Sequence, residues 1–87
     1  LKQELTIEVV GEAMEQYLMA KLGWERSQLT RDAVRMHLHA QDAELGASWD
    51  EFWAACEMQR YGASHGNLEA LAAKLIALAE ITESTLS

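Results

Sequence analysis

Three histidines, His37, His39 and His65, and one cysteine, Cys56, are the residues of this 87-residue chain whose types suit metal binding or nucleophilic chemistry. Their spacing works against both. Helix positions two apart point about 200° away from each other around the axis, so His37 and His39 cannot hold one ion together. Cys56 and Glu57 form a site with His65, in its glycine-flanked turn, only if folding brings the three close. Cys56 shares a helical face with Trp49, Phe52 and Trp53 and reads more simply as a small buried hydrophobe. His37 falls on an apolar stripe, as a packing histidine does. There is no Gly-rich phosphate loop, nucleophile elbow or paired-acid arrangement. No catalysis, metal or other cofactor is expected.

The remaining chemistry is ionic. The stretch GWERSQLTRDAVRMHL, residues 23–38, places Arg26, Arg31 and Arg35 in a chain of formal net charge −7. The charge is also uneven: residues 1–38 hold five basic against six acidic side chains, residues 39–87 only two against eight. An acidic second half fits a basic partner, or serves solubility alone. A single cysteine allows no intrachain disulfide, and no segment reads as a signal peptide or as the roughly 20 apolar residues of a membrane span. A cytoplasmic protein with no membrane partner is the expectation.

These side chains must be positioned by a small core. A chain of this size buries only about 60–65% of its unfolded surface, and many such chains complete their core across a dimer interface. An apolar content of 49% is ample for a folded core and argues against wholesale disorder. ELTIEVV, residues 4–10, alternates Leu5, Ile7 and Val9 with Glu4, Thr6 and Glu8, which predicts a short strand with one apolar face. A lone strand needs a twin or a partner. After Gly11 the chain turns helical, with Ala13, Met14, Tyr17, Leu18 and Leu22 in phase and Gly23 as the stop. A second helix is expected to begin near Glu25 or Arg26 and to bury Leu29, Ala33, Val34 and Leu38. Arg31 and Arg35 fall on its wetter side, suited to helix-surface pairing. Gly46 is expected to close that segment, and Ser48 with Glu51 forms a capping-box pattern for a third helix. After a hinge at residues 61–67, Asn67 can cap a last helix from Leu68 to about Ile81, leaving a frayed tail.

Strand, helix, glycine turn and helix in under 40 residues resemble the ribbon-helix-helix (MetJ/Arc/CopG) superfamily. LTIEV is similar to its opening ribbon. In residues 18–38, Trp24, Ser27, Leu29, Arg31, Ala33, Val34 and Leu38 stand at matching positions. The resemblance covers residues 4 to about 40. It implies a mainly α fold: a ribbon-helix-helix unit over residues 1–40, whose N-terminal strand pairs in an antiparallel homodimeric ribbon. Two further helices follow in an acidic helical segment, residues 41–87. It further implies a ribbon in the DNA major groove, with Glu4, Thr6 and Glu8 at base edges and Lys2 near the backbone. Arg26, Ser27 and Gln28 would clamp a phosphate at the start of the second helix. Glu4 and Glu8 depart from the family pattern, because carboxylates repel phosphates.

Two function classes follow. The first is a homodimeric DNA-binding transcriptional regulator of double-stranded DNA, with ParD-like autoregulating antitoxins or plasmid and phage repressors as its forms. In an antitoxin, Trp49, Phe52 and Trp53, with Leu71, Leu75 and Leu78 beyond the hinge, would face a basic toxin. The alternative role for those residues is core packing. The second class is an acidic helical adaptor or inhibitor that binds a basic protein without binding DNA.

Overall fold

The structure, a computed structural model, describes residues 6–61 and 68–86. Four helices account for nearly all of them: α1 (Ile7–Leu22), α2 (Arg31–Gln41), α3 (Ala43–Arg60) and α4 (Leu68–Leu86), with a 3-10 turn at Arg26–Gln28 between α1 and α2. No strand occurs among the described residues. That overturns the expected N-terminal strand, and with it the homodimeric β-ribbon of a ribbon-helix-helix fold. A mainly α architecture stands.

The reason lies in residues 6–14. Thr6 is the N-cap of α1, and its hydroxyl accepts from the Val9 amide. Glu8 then lies in the first turn, where a carboxylate complements the helix dipole. From there Val10, Met14 and Leu18 recur at four-residue intervals and are all buried. A helix satisfies its own backbone, whereas a lone strand leaves one edge or both unpaired. Those gains outweigh the β-branched preference of Ile7, Val9 and Val10. Glu4 and Leu5, the first residues of the expected strand, lie outside the described residues.

Gly23 ends α1 as expected. It adopts φ 70°, and its amide donates to the Met19 carbonyl. The second helix starts later than anticipated. Residues 26–28 form one 3-10 turn, closed by Gln28 Oε1 accepting from the Glu25 amide at 2.9 Å. α2 proper begins at Arg31 under a Thr30 cap, whose hydroxyl accepts from the Ala33 amide.

Gly46 does not close a helix. Asp42 alone separates α2 from α3, ending the first and capping the second through a 3.0 Å bond from the Leu45 amide. Gly46 lies within α3, buried, where α3 passes close to the backbone of α2. A Cβ there would come within 2.8 Å of the His39 backbone nitrogen, so the missing side chain is what lets the antiparallel pair close. Ser48 and Glu51 lie inside α3 and cap nothing.

The core joins all four helices: Val10, Met14 and Leu18 from α1, Val34 and Leu38 from α2, Leu45, Trp49, Phe52 and Cys56 from α3, and Leu78 from α4. α4 continues to Leu86, past the expected end at Ile81. Its last turns are held, not frayed. The buried Thr82 hydroxyl accepts from Trp49 Nε1 at 2.9 Å and donates to the Leu78 carbonyl at 2.6 Å. Asn67 and most of the predicted hinge lie outside the described residues.

Candidate functional site

The three arginines of residues 23–38 all point at carboxylates. Arg26 donates to Glu12 Oε1 and Glu15 Oε1, each at 3.2 Å, so the 3-10 turn is tied back onto α1. Arg31 makes a two-pronged pair with Asp50, at 2.7 and 3.1 Å, and reaches Glu57 at 3.3 Å, fastening α2 to α3. Arg35 pairs with Asp32 one turn back on its own helix. Lys21 makes a fourth such contact, across α1 and α4, with Glu83.

The titrations follow these pairs. The Arg31 guanidinium, by hydrogen bonding, holds the Asp50 carboxyl below its ordinary range. Glu12 is also lowered, first by the Gln16 amide that donates to it at 3.0 Å and then by the charge of Arg26. Lys21 is raised by its bond to Glu83. Burial raises the Tyr17 phenol, and Glu83 adds to the effect.

Of the residues expected to touch DNA, Thr6, Glu8, Arg26, Ser27 and Gln28 fall among the described residues. Lys2 and Glu4 lie outside the described residues. Thr6 is engaged as the α1 cap, while Glu8 is exposed two residues further along the same helix. Ser27 and Gln28 lie in the 3-10 turn beside Arg26, where the carboxylates of Glu12 and Glu15 occupy the place expected for a phosphate.

The residues expected either to face a partner or to pack are divided. Trp49 and Phe52 are fully buried, and Trp49 stacks on Tyr17 with ring centroids 6.0 Å apart. Phe52 meets Trp49 edge-on at 6.1 Å. Leu78 is buried with them, while Trp53, Leu71 and Leu75 are half-buried at the margin of the core. Cys56 is buried too, and burial pushes its thiol up. Glu57 is turned toward Arg31, and His65 lies outside the described residues. His37 is exposed, not packed in the core, and presents its ring to the edge of Trp24 at 5.3 Å.

Two surface features remain. Lys21, Leu22, His37, Gln41, Thr85 and Leu86 line an open cleft of about 390 Å³ where α1, α2 and α4 end. Its one cation from this set, Lys21, is already met by Glu83. The other feature escaped the sequence analysis: Val9 on α1 and Ile76 on α4 are large apolar side chains that stay 43% and 61% exposed. The signal for it was present in LEALAAKLIALAEI, residues 68–81, where helical phase places Ile76 on the side away from Leu71, Leu75 and Leu78. Among the described residues, no helix is long and apolar enough to cross a membrane.

Comparison with protein-family models, curated proteins and solved structures finds no match.

Proposed function

We propose that this chain is an acidic helical adaptor that binds a basic protein partner. The observation that carries the reading is the engagement of its cations. Of the six Lys and Arg residues described, Lys21, Arg26, Arg31 and Arg35 are each held by carboxylates of the chain itself. Glu8, Glu25, Glu44, Glu51 and Glu80 are exposed and spread over the surface. A polyanion therefore meets repulsion, because binding to DNA rests on Lys and Arg replacing the counterions around its phosphates. A cationic partner meets a field that speeds its approach.

The DNA-binding alternative was placed on a β-strand and on a phosphate clamp at Arg26. α1 now occupies most of the strand's span, and Arg26 is paired with Glu12 and Glu15.

The test is a set of calorimetric titrations of the whole chain at low and moderate salt. The titrants are a Leu/Lys amphipathic helical peptide of about five turns, roughly 18 residues, its Leu/Glu counterpart, and duplex DNA from upstream of the chain's own gene. Binding of the Leu/Lys peptide alone, weakening as salt rises, is the expected result. Tight, salt-sensitive binding of the DNA would overturn the reading.

A further inference from the structure

The last residues of three helices, Leu22 of α1, Gln41 of α2 and Leu86 of α4, line the open cleft of about 390 Å³, together with Lys21, His37 and Thr85. Its size falls within the range of small-molecule sites, about 300–1,000 Å³. The charges around it decide what it can hold.

The last carbonyls of a helix find no donor within it, and that end carries a partial negative charge. The ends of α1 and α2 are set by the chain itself, by Gly23 in its left-handed turn and by Asp42. At the α1 end the Gly23 and Trp24 amides both return to the Met19 carbonyl, so those of Ala20, Lys21 and Leu22 are directed out of the helix end. α3 starts beside the α2 end, but its positive terminus is already met by the Asp42 carboxylate, which accepts from the Leu45 amide. Lys21 is cancelled by Glu83. An anion in the cleft would therefore meet helix ends of its own sign on a body of net charge −7. A cation meets attraction from both.

The lining selects among cations. Leu22 and Leu86, half-buried, offer apolar walls to a methylene stem. The Gln41 amide oxygen and the Thr85 hydroxyl, both on exposed residues, can each accept. His37 adds a flat ring, set against the edge of Trp24. A guanidinium has five donors in a plane and a face that stacks on rings, so it suits this set better than the point charge of an ammonium. We propose that the cleft seats an arginine side chain of the basic partner, its guanidinium toward Gln41, Thr85 and the α1 end and its stem against Leu22 and Leu86. This rests on the adaptor reading and assigns its anchoring site.

The first probe is N-acetyl-arginine methylamide, which carries one guanidinium and no other charge, titrated into the isotope-labelled chain while its amide spectrum is followed. Shifts should concentrate at Leu22, His37, Gln41, Thr85 and Leu86, and the uncharged citrulline analogue should cause none. Thr85→Lys and Gln41→Lys place a like charge in the cleft and should each raise Kd by roughly tenfold or more. Glu8→Gln makes the same change in net charge about 20 Å away along α1 and should bind nearly as the parent does. Lys21→Met releases the Glu83 carboxylate and should tighten binding of the probe. The Leu/Lys peptide remade with arginine for lysine should bind more tightly than the original and lose that advantage in Thr85→Lys. If the probe causes no shifts in the cleft, or if the cleft variants bind it like the parent, while the peptides still bind, the cleft is refuted and the adaptor reading stands. If neither peptide nor probe binds, both fail. A probe that binds while the arginine peptide gains nothing would give the cleft to a free guanidinium compound and overturn the partner assignment. Binding of N-acetyl-glutamate methylamide in the cleft, lost in Lys21→Met, would make it an anion site and overturn the proposal outright.

Discussion

Thr82→Val separates a docked α4 from a loosely attached one. The substitution keeps the β-branched shape and the helix propensity while removing the hydroxyl. Trp49 and Thr82 are both fully buried, so no water replaces the acceptor that Trp49 Nε1 loses. An indole N–H left without a partner in such a place costs about 1–3 kcal/mol. The Leu78 carbonyl loses only its second donor, because the helix still supplies its backbone bond. Against a total stability of roughly 4–13 kcal/mol for a chain of this length, a loss of about 2 kcal/mol is a large share, and it lowers Tm by roughly 10 °C. Urea unfolding followed by circular dichroism should show a lower midpoint at unchanged slope. Thr82→Ser, which keeps the hydroxyl and loses a methyl, should cost less, about 1 kcal/mol. If Thr82→Val unfolds at the parent's midpoint, or if Ser is the worse of the two, the buried hydrogen bond does not hold α4 and the reasoning fails.

Two glycines inside helices should answer oppositely to alanine. Gly46→Ala drives a Cβ into the His39 backbone and should cost about 1–3 kcal/mol, read as a lower urea midpoint. Gly11→Ala meets only the far end of the Arg60 side chain, which can swing aside, so the gain in helix propensity should leave the protein as stable or more stable by about 0.5–1 kcal/mol. The Asp50 carboxyl is depressed in the folded state, so its contribution is present above the usual aspartate range and is lost as pH falls through the folded value. Asp50→Asn should therefore lower the urea midpoint at neutral pH and flatten its fall below about pH 4. A parallel displacement of the two pH curves would refute that assignment.

The parts of the fold legible in the sequence were those where one physical signal pointed one way. Met14 and Leu18 on α1, Val34 and Leu38 on α2, and Trp49, Phe52 and Cys56 on α3 recur at helical spacing and are buried. Gly23 followed an apolar helix end and adopts the left-handed turn that position favours. Residues 4–10 were ambiguous, because a short apolar run satisfies a period of two and a period of 3.6 together. The hydroxyl of Thr6 and the continuation through Val10 decide for the helix. Gly46 misled for a related reason: a glycine can stop a helix or admit a neighbour, and which it does depends on a backbone seven residues away. The arginine partners were the least legible. Arg26 meets Glu12 fourteen positions back and Arg31 meets Glu57 twenty-six positions on, distances at which only the folded packing shows which charge meets which.

The single-residue junction at Asp42 has a kinetic consequence. α2 and α3 meet by closing almost no loop, whereas α1 and α4 meet only across 62 positions of chain. Closing a long span costs entropy before any contact rewards it, so the α2–α3 hairpin is expected to form early and α4 to dock last. Gly46→Ala, which disturbs the hairpin, should then slow folding with little change in the unfolding rate. Thr82→Val should do the reverse and hasten unfolding. Stopped-flow rates on the two variants decide it; equal effects on both arms would mean that the hairpin and α4 assemble in one step.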